Sequence, residues 1–378
     1  MTPPDIDALT PLLGGLSPRA FMRRHWQKQP LLVRGAVERD PLSLPRAQLF
    51  ALAARDDVES RLVVHDARGW QLRHGPLPRR ALPALTQPRW TLLVQGLDLH
   101  VDAAHGLLER FRFVPDARLD DVMVSYASDV GGVGPHLDSY DVFLLQLHGR
   151  RRWRIGRPRD PVLQPDVPLK ILANFQPEQE WLLEPGDMLY LPPRWAHDGV
   201  AEGECMTCSI GFRAPTRDEL AHELLQRLVD AGDGEDGEDG GVVYADASQA
   251  ATATPARLPE ALRGFAEAAV ARRLRDPAWL DRALGEVLSE PKPSVWFDAG
   301  GKLAGEVDVV LDRRTRMLYD ARHVFVNGEA YRAAGRDATL MRRLADRRRL
   351  GAREVAALSA EARELLDQWA QSGWLHAD

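Results

Sequence analysis

The stretch GVGPHLDSYDVFLLQLHGRRRWRIG, Gly132 to Gly156, sets a histidine and an aspartate two residues apart, then an apolar run, a glycine turn and four arginines around a tryptophan. In a β-strand, residues two apart point to the same side, so His136 and Asp138 can both aim inward. The same alternation puts Arg151, Trp153 and Ile155 on one face and Arg150, Arg152 and Arg154 on the other. The apolar companions mark the first set as the inward one. Arg151 is then a buried cation, and its three neighbours form a solvated face.

A lone H-x-D/E is cheap: eleven histidines and 55 acids in 378 residues give about one or two by chance. His100-Val101-Asp102 is read as such a match, because no strand–turn–strand follows it. His136 and Asp138 gain weight from a third candidate, His197, at the end of EPGDMLYLPPRWAH. There Pro-Gly-Asp makes a turn, Met188–Leu191 a strand, and Pro192-Pro193 stops it. Two histidines and one carboxylate form the facial donor set of non-haem Fe(II) sites, with the opposite positions open for cosubstrate and oxygen. A 2-oxoglutarate cosubstrate chelating iron with one end needs a cation for its distal carboxylate. Arginine offers a bidentate fork for it, which gives Arg151 a reason to be buried.

Outward from this centre, residues 120–212 read as short strands broken by Gly and Pro, a barrel or jelly roll rather than a parallel α/β sheet. SYDVFLLQLHG and RRWRIG are expected as two strands joined by a turn. Upstream, SPRAFMRRHWQKQ reads as a helix entered through Ser17-Pro18 and ending before Pro30, followed by a strand in PLLVRG. SRLVVHD, GWQLRHG and RWTLLVQGL read as further strands. Downstream, Thr216 and Glu219 form a capping box for the helix TRDELAHELLQRLVDAG. The acidic, glycine-rich run Asp233–Gly241 reads as a solvated loop. Two more helices lead to Pro291-Lys292-Pro293, and the remainder mixes strands, an Asn327-Gly328 hairpin and helices, which suits a winged-helix-like module. The expected division is 1–215, 216–292 and 293–378.

Composition is that of an ordinary globular chain, 44% hydrophobic and 28% charged. Its length suits two or three domains. No apolar run approaches a membrane span, and the first residues lack a secretory signal, so the expected location is the cytoplasm. Net charge of −6 argues against a dedicated nucleic-acid surface. Lys28, Lys170, Lys292 and Lys302 are the only lysines among 49 basic residues, so arginine clusters carry less weight than usual. Cys205 and Cys208 form a CxxC with no second pair to complete a zinc site, and are read as small strand residues.

The runs HLDSYDVFLLQLHGRRRWRIG, PGDMLYLPPRWAHDG, SIGFRAP and FMRRHWQKQPLL resemble the JmjC-type ribosomal oxygenases. The resemblance is to the bacterial branch that hydroxylates an arginine of large-subunit ribosomal protein sixteen. It implies an α+β protein with a double-stranded β-helix (cupin) core, a helical dimerisation region and a C-terminal winged-helix domain. It implies His136, Asp138 and His197 as ligands of Fe(II), Arg151 as the 2-oxoglutarate anchor, molecular oxygen as second cosubstrate, a ribosomal protein as substrate, and a homodimer. Two positions depart from the pattern: Arg194 stands where the cupin motif has glycine, and Thr207 where close members tend to have asparagine. Ser125, Thr207 and Ser209 share inward parity and are candidates to bind cosubstrate. Asp129, Tyr140 and Asp141 are candidates for a cationic substrate. Histidine hydroxylation of another ribosomal protein is the near alternative. A non-catalytic cupin and winged-helix binding protein is the distant one, with the arginines of RRLADRRRLGARE its most suggestive feature.

Overall fold

The computed structural model describes residues 4–38, 41–230, 242–247, 251, 256–274 and 277–378; the acidic stretch Asp233–Gly241 lies outside them. The chain forms two compact units, one of Met1–Ala214 with Pro293–Phe297, the other of Pro215–Lys292 with Asp298–Asp378.

The first unit contains α1 (Pro18–Arg24), β1 (Leu31–Val33), α2 (Arg46–Ala53), β2 (Ser60–Asp66), β3 (Gly69–His74), β4 (Trp90–Val94), α3 (Asp102–Glu109), β5 (Leu119–Ala127), β6 (Val142–Gly156), β7 (Gln179–Leu183), β8 (Met188–Leu191) and β9 (Ala196–Phe212). Ser17 caps α1 as the sequence suggests, its hydroxyl accepting from the backbone of Ala20, but the helix closes at Arg24, short of Pro30. The nine strands form one antiparallel sheet in the order β1-β8-β6-β9-β5-β4-β2-β3, with β7 also on β6. One face of β5, β6 and β9 is covered by α1–α3 over a large core that includes Phe21, Leu49, Phe111, Tyr126 and Phe143. The other face closes over a smaller interior of Val142, Leu144, Trp153, Ile155, Leu183, Leu189, Leu191 and Trp195. This is the expected double-stranded β-helix.

The turn expected between the two halves of Val142–Gly156 is absent. β6 is one fifteen-residue strand that pairs with β9 along its length, and with β8 at Val142–Leu145 and β7 at Arg151–Ile155 on its other side. Its register shifts around His148, where Gly149 takes φ +63°. Before the shift the even residues Val142 and Leu144 face the interior; after it the odd residues Trp153 and Ile155 do. A bulge resets the side-chain phase without ending the strand. A glycine between two strand-like runs reads as a turn because turns and bulges both use its left-handed conformation.

Gly149 also has no room for a side chain, since a Cβ there would lie 2.1 Å from the carbonyl oxygen of Glu204. Gly149→Ala is expected to destabilise the chain by about 3 kcal/mol, from left-handed strain and a backbone clash. A fall in the urea midpoint of the full chain measures it, and an unchanged midpoint would show that the bulge relaxes freely.

The second unit contains α4 (Arg217–Asp230), α5 (Glu260–Arg273), α6 (Pro277–Ser289), β10 (Val309–Leu311), β11 (Met317–Tyr319), β12 (His323–Val326), β13 (Glu329–Arg332), α7 (Gly335–Arg347), β14 (Arg349–Leu350), α8 (Ala352–Ala356), α9 (Ala360–Gln371) and β15 (Leu375–Ala377). The capping box forms: Thr216 Oγ1 accepts from the backbone of Glu219 at 3.1 Å, and Glu219 Oε2 accepts from that of Thr216 at 2.7 Å. Two three-stranded sheets, β14-β10-β15 and β11-β12-β13, share a core with α7 and α9 through Val309, Met317, Leu344, Leu366 and Trp369. The Asn327-Gly328 turn has both residues at positive φ, as a tight hairpin requires. The run AREVAALSAEARELLDQWAQSG forms two helices, because Ser359 caps a new one, its hydroxyl accepting from the backbone N–H of Ala362.

Candidate metal centre

His136 and Asp138 do not sit in a regular strand. His136 forms an isolated antiparallel bridge with His197, the second residue of β9, each backbone N–H donating to the other's carbonyl at 3.0 Å. This bridge brings together residues 61 positions apart in the chain. The imidazole centroids lie 4.2 Å apart. Asp138 Oδ1 is 4.0 Å from His136 Nε2, and its Oδ2 is 3.6 Å from His197 Nε2. Among the described residues, this is the cluster of histidine, cysteine and acid whose ligand atoms all lie within 4.8 Å of one another.

The histidines are set up to ligate through Nε2. His136 Nδ1 lies 2.9 Å from the carbonyl of Gly134, and His197 Nδ1 3.2 Å from that of Trp195. A carbonyl can only accept, so each Nδ1 carries the proton and each Nε2 keeps its lone pair. Burial, reinforced by the neighbouring His136, pushes the pKa of His197 down to about 4, leaving the ring neutral at pH 7. His197 is sealed in, whereas His136 and Asp138 are partly exposed, so the cluster has one open side. The donors therefore fit a metal that binds two imidazoles and a carboxylate and keeps positions free.

Arg194 adopts φ +67° in the Pro-Pro-Arg-Trp turn, and its backbone N–H donates to the carbonyl of Asp138 at 3.1 Å. Where the cupin motif has glycine, arginine holds the same left-handed conformation and the turn still reaches the metal loop.

Arg151 is 4% exposed, on the interior face as alternation suggests. Its Nη1 donates to Ser125 Oγ at 3.0 Å and to Thr207 Oγ1 at 3.2 Å. Its guanidinium carbon lies 5.3 Å from the ring centroid of Trp153, which lies 5.8 Å from that of His197. Arg151 Nε is buried without a hydrogen-bond partner, as is Trp153 Nε1. An unpaired buried N–H on a cation is expensive, and a carboxylate beside it would satisfy it. The interior therefore fits a ligand with a metal-chelating end and a distal carboxylate. The outer arginines are matched by their own acids, Arg152 with Glu180 and Glu202, and Arg154 with Asp198.

The other candidates separate. Ser209 is buried two residues along β9 from Thr207, without a hydrogen bond to Arg151. Tyr140 keeps part of its ring exposed; desolvation, with the nearby negative charge of Asp138, holds the phenol above its usual range. Asp129 is exposed, and its Oδ1 accepts from the backbone of Gly203 at 2.8 Å, clipping two loops together. Asp141 needs correction as a substrate contact. It has no exposed surface, and its carboxylate accepts from Tyr190 Oη at 2.6 Å, Gln27 Nε2 at 3.1 Å and Arg118 Nη2 at 3.5 Å. It ties the start of β6 to the N-terminal segment and β8. Cys205 and Cys208 are free and buried, and desolvation raises both thiols.

Gln146 escapes a reading based on known motifs. It is fully buried, accepts from Thr207 Oγ1 at 2.9 Å, and donates to the carbonyl of His148 at 2.8 Å. The signal was present: a lone amide inside VFLLQL, in phase with Val142 and Leu144.

With this geometry, the chain belongs to the JmjC-domain ribosomal oxygenases. Residues 106–220 match the JmjC domain, and residues 272–376 match the ROXA-like winged helix. The ribosomal protein uL16 3-hydroxylase of Escherichia coli (strain K12) is 36% identical over 287 residues, 72% of this chain and 71% of that protein. A probable ribosomal oxygenase of Haemophilus influenzae is 36% identical over 209 residues, 54% of this chain and 52% of its own. Among solved structures, Escherichia coli ycfD superposes with a TM-score of 0.82 at 29% identity, covering 96% of this chain and 98% of that one. The ribosomal oxygenase YcfD in complex with cobalt and 2-oxoglutarate gives 0.78 at 30% identity, over the same shares.

Proposed function

We infer that this chain is an Fe(II)- and 2-oxoglutarate-dependent oxygenase that hydroxylates an arginine side chain of large-subunit ribosomal protein sixteen. The observation that carries the chemistry is the pairing of the His136–Asp138–His197 cluster with a buried Arg151 whose Nε is unsatisfied. The relative that shares 36% identity over most of both chains is named for 3-hydroxylation of that ribosomal protein, and supports the substrate. Bound here, iron with 2-oxoglutarate and oxygen supplies the oxidising power, placing one oxygen atom in the C–H bond and the other in succinate, with release of carbon dioxide.

The protein's part is binding, orientation and exclusion of water. His136, Asp138 and His197 would hold the iron through one ligand atom each. Arg151 takes the distal carboxylate of 2-oxoglutarate through the edge that Ser125 and Thr207 leave free. Trp153 and the surrounding apolar interior close the space between that cation and His197. Substrate enters on the open side of the cluster, past the half-exposed ring of Tyr140. Asp129, on the adjoining loop, is the carboxylate we assign to a cationic side chain.

We further propose the division 1–215, 216–292 and 293–378 as catalytic, dimerisation and winged-helix parts of a cytoplasmic homodimer. Exposed Leu225 and Val229 on α4, and Leu262, Phe265 and Val270 on α5, support an apolar contact there. Among the described residues no helix is long and apolar enough to cross a membrane. A nucleic-acid surface on RRLADRRRLGARE is disfavoured by its pairing: Arg343 and Arg347 with Glu354, and Arg349 with Asp308 and Asp378.

The test is mass spectrometry of a peptide from the organism's own ribosomal protein sixteen after incubation with the chain, Fe(II), 2-oxoglutarate and ascorbate. One added oxygen on arginine, absent with His136→Ala, is expected. Succinate formation that depends on His136 without peptide oxidation would keep the chemistry and overturn the substrate.

A further inference from the structure

We propose that Gln146 is a positioning residue for the cosubstrate, acting through Thr207 on Arg151. This rests on the reading of Arg151 as the anchor of the distal carboxylate. The amide of Gln146 can be oriented from its neighbours alone. Its Nε2 faces the carbonyls of His148 at 2.8 Å and Gly149 at 3.3 Å, which can only accept, so the nitrogen belongs there and Oε1 faces Thr207. Across 2.9 Å, Thr207 Oγ1 must then be the donor. A threonine hydroxyl has one hydrogen, and with that hydrogen committed it offers only lone pairs to Arg151.

Ser125 is committed in the same sense, since its Oγ donates to the carbonyl of Thr207 at 3.3 Å and so presents lone pairs to Arg151. Both hydrogens of Arg151 Nη1 are therefore engaged, which fixes the rotation of the guanidinium and turns its Nε edge into the interior. The backbone of Gln146 is held as well: its N–H donates to the carbonyl of Asp187, and its carbonyl accepts from Gly186, each at 2.9 Å. The amide thus joins the bulge that resets the phase of β6 to the hydroxyl that aims the cation. The side chain has 0% exposure and touches neither the metal cluster nor the interior ligand space by any hydrogen bond, so its effect is indirect.

The experiment is equilibrium binding of 2-oxoglutarate, and of pyruvate, to the full chain loaded with Mn(II). Pyruvate keeps the chelating end and lacks the distal carboxylate. Gln146→Met is expected to weaken 2-oxoglutarate roughly tenfold, the value of one lost hydrogen bond of this kind, and to leave pyruvate unchanged. Thr207→Val is expected to give the same loss, Thr207→Ser none, and Gln146→Met added to Thr207→Val no further loss. Equal weakening of both ligands, additive effects of the pair, or a silent Thr207→Val would overturn the proposal. Should Gln146→Met not fold, Gln146→Leu, which also removes the acceptor for Thr207, takes its place in the same cycle with the same outcomes. Arg151→Met serves as the separate arm: full 2-oxoglutarate affinity there would sink the anchor itself, whereas its loss beside an unaffected Gln146→Met sinks only the relay.

Discussion

His136→Ala is expected to lower 2-oxoglutarate turnover by roughly a thousandfold or more, beyond the ten- to hundredfold that loss of an outer partner of a metal ligand brings. His136 is the better target of the two histidines because it is partly exposed, so its removal leaves no large internal void. His197 is sealed against Trp153, and its truncation would confound loss of metal with loss of packing. Asp138→Asn is the companion variant: it keeps the side-chain shape and the backbone acceptor for Arg194, and removes the negative charge that balances a dication. Succinate release, measured with thermal unfolding as a control, separates the two causes. A folded His136→Ala chain that turns over 2-oxoglutarate at the parent rate would refute the assignment of this cluster. Chelation followed by dialysis is expected to abolish activity in the parent, and Fe(II) to restore it.

Arg151→Met is the second large effect. A hydrogen bond to a charged group contributes about 1.5–3 kcal/mol, and a carboxylate left beside an apolar side chain in a closed interior loses its solvation as well. The KM for 2-oxoglutarate is therefore expected to rise roughly a hundredfold. Arg151→Lys keeps a point charge and loses the planar fork, so it is expected to recover part of the loss. Steady-state kinetics at saturating peptide and oxygen measures both. If KM stays at the parent value in Arg151→Met, the distal carboxylate is held elsewhere.

Much of the centre could be read from the chain because it rests on local periodicity. Alternation alone separates Arg151, Trp153 and Ile155 from Arg150, Arg152 and Arg154, and the structure puts the first set inside. The missed features depend on distant partners. Gly149 looks like a turn until the unbroken β9 is laid beside it. Asp141 looks like an exposed loop acid until Tyr190, Gln27 and Arg118 converge on it from three other segments. Gln146 shows only as an oddity in an apolar run, since its meaning comes from Thr207, 61 residues away. The pairing of His136 with His197 follows from residue type and family resemblance; nothing in local sequence encodes the bridge that makes it.

The bulge at Gly149 leaves this strand exposed to a particular error. A slip of one residue in folding would exchange the inner and outer rows of β6. With three arginines in succession, a slipped strand would still point an arginine inward, Arg150 or Arg152, so the cation is insured against misregistration. Trp153 is not. Its place in the apolar interior would pass to Arg152 or Arg154, whose charge would be stranded without water or counterion among Val142, Leu144 and Leu183. The tryptophan between two arginines thus acts as the strand's proofreader: the charged neighbours make the wrong alignment intolerable, and the aromatic ring makes the right one the sole alignment that closes.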